Sequence, residues 1–107
     1  MALAADTPPA TLELLSQDWD AGVRKAVARH ADAPLSALES LAFDGDVSIR
    51  RAAAAHESTP PHVLEELFDD HDGAVSWRAK INPSASEESL ERLEGDHGDL
   101  SAVKALT

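Results

Sequence analysis

Leucines recur in pairs three residues apart, and each pair returns 26 residues later: Leu12 and Leu15, Leu38 and Leu41, Leu64 and Leu67, Leu90 and Leu93. Three residues is the spacing of one helical face, so each pair predicts a short helix with a single buried stripe. A β-branched residue follows in register at Val23, Ile49 and Val75, among alanines, and predicts a second helix in each unit. Polar columns separate the two. Asp18, Asp44, Asp70 and Asp96 form one, and Asp20, Asp46 and Asp72 another. Pro8, Pro34 and Pro60 precede the leucine helices, with Asp6, Asp32, Ser58 and Ser84 two places earlier. Columns that hold over a fixed period of this length mark a repeat array.

The first helices are expected at about 8–17, 34–43 and 60–69. Thr7 is a candidate cap and Pro8 suits the first helical position. Leu12, Leu15 and Ser16 should be buried in the first unit, and Leu64, Leu67 and Phe68 in the third. The second helices are expected from an Asp20 cap to about residue 30, at 47–56 and at 73–82. Val23, Ala26 and Val27 should face inward, as should Val75 and Ala79. A fourth unit opens at Ser84, where Glu87, Glu88 and Glu91 load the first turns of a helix with the charge its N-terminus favours. Its ending, GDLSAVKALT, falls out of register. The prediction is an all-α chain of four two-helix repeats at about 6–31, 32–57, 58–83 and 84–107, forming one domain.

Composition narrows the function. There is no cysteine, which excludes disulfides, thiolate metal sites and iron–sulfur clusters. Nine basic residues against 20 acidic ones give a net charge of -11, which argues against general attraction to nucleic acid or anionic membrane. The beginning, MALAADTPP, lacks a basic and apolar leader, and no later stretch has the length of a membrane span, so the expected location is the cytoplasm.

The run Val23, Arg24, Lys25, Ala26, Val27, Ala28, followed by Pro34, resembles the leucine-rich repeat variant family, as does LESLAFDGDVSIRRAAAA in the second unit. Ile81, Asn82, Pro83 supplies the Asn-Pro of that family's pattern. The likeness covers about residues 6–96. HEAT-type repeats share the step from Asp to Val-Arg but usually run longer, and are the second choice. Either resemblance implies a right-handed superhelix, a short α-solenoid, used mainly as an interaction surface. The leucine-rich repeat variant resemblance also suggests 3₁₀ geometry for the second element, against which the ten-residue alanine-rich stretches look long enough for α. The iron–sulfur cluster of some members is not carried over, and no cofactor is expected.

The charges divide by helix. Arg24, Lys25, Arg29, Arg50, Arg51, Arg78, Lys80 and Lys104 fall on second-helix segments, and only Arg92 on a first helix. Second helices usually line the concave side of a helical solenoid, so a basic groove on an acidic molecule is one expectation. The other is that Arg24 and Arg50, the one column where arginine itself repeats in register, pair with the aspartate columns as a structural ladder. Trp77 stands where Lys25 and Arg51 stand in the earlier units, and has two readings: it points away from the core as a contact residue, or it fills a gap left by the shortened fourth unit. Trp19 is expected to pack over a unit junction. His30 and His56 share a register, as do His71 and His97, but stacked units sit about 8–10 Å apart while zinc ligands converge at roughly 2 Å. These histidines are therefore read as helix finishers meeting free carbonyls, and no metal is expected.

No cysteine, no tyrosine and no phosphate-binding glycine loop are present, so no catalytic residue is assigned. The leading reading is a non-enzymatic scaffold that binds a protein partner through Lys25, Arg29, Arg51, Trp77, Arg78 and Lys80. Nucleic-acid binding in the basic groove is one alternative. The other is an acidic decoy for a basic protein, using Glu65, Glu66, Asp69 and Asp70.

Overall fold

A computed structural model describes residues 3–85, so the expectations placed on Leu90, Leu93, Arg92, Asp96, His97, Lys104 and the rest of the fourth unit after Ala85 lie outside the described residues. Among the described residues the chain is all-α, with six helices and no strand. They are α1 (Pro9–Leu15), α2 (Ala21–Ala28), α3 (Leu35–Leu41), α4 (Val47–Ala55), α5 (Pro61–Leu67) and α6 (Gly73–Ile81). The second element of each unit is an α-helix throughout, not 3₁₀.

The helices start in two ways, and the sequence columns explain both. Pro8, Pro34 and Pro60 occupy the N-cap position of α1, α3 and α5, with φ of -61°, -70° and -64° and extended ψ. A ring-fixed φ and a missing N–H suit a residue that opens a helix without donating. None of these three helices has a side-chain cap, and Thr7 instead donates to the carbonyl of Ala4. Thr7 is therefore not the cap expected of it, because proline already stands at the position next to the helix. The second helices are capped by carboxylates: Asp20 accepts from the Gly22 N–H, Asp46 from Ser48 and Asp72 from Val75. One column back, Asp18, Asp44 and Asp70 accept from the N–H of Asp20, Asp46 and Asp72, which folds each turn onto itself.

Leu12, Leu38, Leu41, Leu64, Leu67, Ile49 and Val75 are buried completely or nearly so, together with Ala53 and Ala79. Each first helix packs against the second helix of its own unit, α2 packs against α4, and α4 against α6. The second helices thus form a continuous layer. Leu15 and Ala26 are only half-buried, while Ala28 and Ala54 are buried. The reason is that α2 meets α1, α3 and α4, so its buried sector is wider than one stripe and extends to the position after Val27. Small side chains there let neighbouring backbones approach.

Hydrogen bonds repeat with the sequence. The Nε2 atom of His30 lies 2.8 Å from the carbonyl of Ala4, and that of His56 lies 2.7 Å from the carbonyl of His30. Asn82 continues the column, its Nδ2 donating to the carbonyls of His56 and Ala54 at 2.9 and 2.7 Å. On their other side the three residues accept the N–H two places on, from Asp32, Ser58 and Ser84. Each ring therefore accepts at Nδ1 and carries its proton at Nε2. The column joins consecutive units through buried polar groups, and among the described residues no buried side-chain nitrogen or oxygen lacks a partner.

A basic groove across the second helices

Arg24 and Arg50 point toward the turns. Arg24 donates through Nε to Asp44 of the next unit at 2.7 Å and through Nη1 to the carbonyls of Asp18 and Trp19 in its own. Arg50 does the same one unit later, with Asp70 at 3.0 Å and the carbonyls of Asp44 and Gly45. These guanidiniums are a ladder that ties each turn to its neighbour. Partial burial pushes the Asp70 carboxyl up, but the Asp72 N–H and the Arg50 guanidinium outweigh it and hold the group below the usual carboxylate range. The hydrogen bond to Asp44 likewise raises the pKa of Arg24. In the third unit Ser76 occupies the arginine column, and its hydroxyl donates to the Phe68 carbonyl.

The neighbouring face of the same helices is different. Lys25 from α2, Arg29 at its C-cap, Arg51 from α4 and Arg78 from α6 line one open groove of about 400 Å³. Between them the lining is of small side chains, Ala28, Ala52, Ala55 and Ser48, with His56. Because α2, α4 and α6 lie side by side, residues distant in sequence bring four cations to one depression.

Arg51 is partly committed. Its Nη2 and Nε atoms meet the two oxygens of Asp72 at 2.8 and 3.2 Å. That paired contact, aided by the Val75 N–H, holds the Asp72 carboxyl down at about 2. The Asp46 carboxyl is lowered chiefly by the Ser48 hydroxyl, then by the Ser48 N–H, with a smaller contribution from Lys25. Lys25, Arg29 and Arg78 make no ion pair with any other described residue. The groove therefore keeps three uncommitted cations around a fourth that is held in place.

Trp77 and Ile81 do not line the groove. They are 62% and 57% exposed, one turn apart on α6, and occupy the columns of Arg51 and Ala55 in α4 and of Lys25 in α2 and Arg29 at its C-cap. Trp77 points away from the core, the first of the two readings its position allowed. Lys80 stands apart from both groups: it shares a column with Ala28 and Ala54, which are buried between units, and it is half-buried. Trp19 corrects an expectation. It is 93% exposed and covers no junction. Only its carbonyl is used, by Arg24, while its side chain leaves the turn at the column of Gly45 and His71, both also exposed.

Of the acidic set, Asp70 is engaged by Arg50 and by the Asp72 N–H, whereas Glu66 and Asp69 lie exposed. His30 and His56 use both ring nitrogens within the fold, and no group of three histidine, aspartate or glutamate side chains suited to a metal occurs among the described residues. No described helix is long and apolar enough to cross a membrane.

Residues 21–46 match the family model described as leucine rich repeat variant. The matched stretch runs from the start of α2 to the Asp46 cap of α4, and contains Arg24, His30 and Asp44, the groups through which adjacent units are joined. The family resemblance drawn from the sequence is thus supported, over residues 21–46 of the chain. No curated protein and no solved structure matches the chain.

Proposed function

We propose that this chain is a right-handed solenoid of four two-helix units, at about 6–31, 32–57, 58–83 and 84–107, serving as a non-enzymatic module that binds a protein partner across its second helices. The observation that supports this most directly is the groove in which Lys25, Arg29 and Arg78 converge without carboxylate partners among the described residues. Elsewhere the structure spends its arginines on the ladder. Arg24 and Arg50 are fully engaged, so the cations left over are a distinct set on a distinct face. The match to a helical repeat family accords with an interaction role.

The test compares partner capture by the parent protein with capture by two variants. Lys25→Glu with Arg29→Glu and Arg78→Glu reverses the groove, and Glu66→Lys with Asp69→Lys reverses the acidic face. A defined set of proteins lost only with the groove variant is the expected result. Capture that survives groove reversal and fails with the acidic variant would assign binding to the other face. Circular dichroism confirms that both variants keep the helical fold.

A further inference from the structure

We infer that the groove receives an extended peptide segment with two or three carboxylates, followed by an apolar side chain that rests on Trp77 and Ile81. This rests on the second-helix face being the interaction surface, and adds the chemistry of what binds there. Lys25 on α2 and Arg29 at its C-cap stand one turn apart, where i and i+4 side chains share a face, and Arg78 faces them from α6. Three free cations around a lining of alanines call for carboxylates carried on a narrow chain. Arg51 is neutralised by Asp72, which leaves Lys25, Arg29 and Arg78 as the charges a ligand would meet.

Beyond Arg78 the surface changes character. Lys25 and Arg29 of the first unit become Arg51 and Ala55 in the second, and Trp77 and Ile81 in the third. Position for position, the same face passes from basic to apolar. Exposed tryptophan beside arginine is the composition of energetic centres at protein interfaces. A uniformly acidic ligand would leave Trp77 and Ile81 unused, and a purely apolar one would bury the cations unpaired.

The dimensions select the conformation. Adjacent packed helices lie about 8–10 Å apart, so α2 to α6 spans roughly 16–20 Å. An extended chain rising about 3.3 Å per residue crosses that distance in about five or six residues. A segment of about five or six residues is too short to hold a helix of its own in water, which favours the extended form.

The experiment uses a synthetic array of peptides of about seven residues, each holding three Asp or Glu and two Leu or Phe. The acids and apolar residues are grouped at opposite ends in both directions, or alternated. Binding is read at about 50 mM salt, where exposed charges are weakly screened. A Trp19→Phe background leaves Trp77 as the only indole in the chain, so its emission reports contact directly. Grouped peptides of one direction should bind best and shift that emission. With labelled peptide, Trp77→Ala and Lys25→Glu/Arg29→Glu should each weaken binding about tenfold or more.

Affinity unchanged by Trp77→Ala overturns the proposal, as does equal binding of grouped and alternated peptides. A short oligothymidylate that binds more tightly than every peptide overturns it in favour of nucleic acid. If no peptide binds while protein capture still depends on the groove cations, the segment chemistry is wrong and the interaction face stands. If capture is also independent of those cations, both readings fall.

Discussion

His56 donates from Nε2 to the carbonyl of His30, 2.7 Å away and 26 residues earlier, while its Nδ1 accepts the N–H of Ser58 at 3.0 Å. A single ring thus closes the turn after α4 and joins it to the preceding unit. Asn82 performs both tasks one unit later with an amide. The two side chains have the same arrangement of donor and acceptor, which makes them interchangeable at this column.

Replacing His56 by Asn should therefore cost less than about 1 kcal/mol, whereas His56→Leu leaves the His30 carbonyl and the Ser58 N–H without partners and should cost about 1–3 kcal/mol. Denaturant unfolding of the two variants checks the difference. Equal losses would mean that the ring contributes by filling space alone.

Arg50 should be irreplaceable in a way that Arg51 is not. Arg50 reaches two backbone carbonyls and both oxygens of Asp70, a fork that a lysine ammonium cannot reproduce. Arg50→Lys should lose about 1–2 kcal/mol of stability. Arg51→Lys, whose side chain is more exposed, should leave the thermal midpoint close to that of the parent.

Acid should weaken the turns in a definite window. The folded-state pKa of Asp72 is depressed to about 2, and those of Asp46 and Asp70 are also lowered. Such groups contribute stability in full above the unfolded value of about 3.9, and lose it as pH falls through the folded value. The gap in thermal midpoint between the parent and Asp72→Asn should be constant above about pH 5 and close between about pH 4 and 2. A gap that does not narrow would show that the carboxylate charge is not what holds the turn.

The first helices should divide by face. Leu38 is fully buried on α3 and Leu38→Ala should cost about 2–5 kcal/mol. Leu35, three residues earlier, is 55% exposed, and Leu35→Ala should stay within about 0.5 kcal/mol. Chemical denaturation of this pair tests the assignment of the buried stripe directly.

The helices and their inward leucines were legible because burial imposes a period, and the period survives in the residues themselves. Asp46 and Arg50 were legible for the same reason, since capping and pairing require fixed residue types at fixed spacings. The histidine column was only half visible. His30 and His56 align, but the third member is asparagine, and residue identity hides what donor geometry would have shown: both accept from the N–H two places on. Trp19 could not be placed from the sequence because a large apolar residue in a turn gives no sign of its direction. The convergence of Arg78 with Lys25 and Arg29 depends on three helices lying side by side, and no single helix encodes it.

The repeated bonds that join the units run from one unit to the next: His56 to His30, Asn82 to His56, and Arg50 to the following turn at Asp70. Excising residues 31–56 would set Asn82 against the His30 carbonyl and Asp70 against Arg24, restoring the same bonds across the seam. Chain length is then a modular quantity, added or removed in whole cassettes with no new junction to invent, and the reach of the second-helix face is set by how many cassettes are strung together.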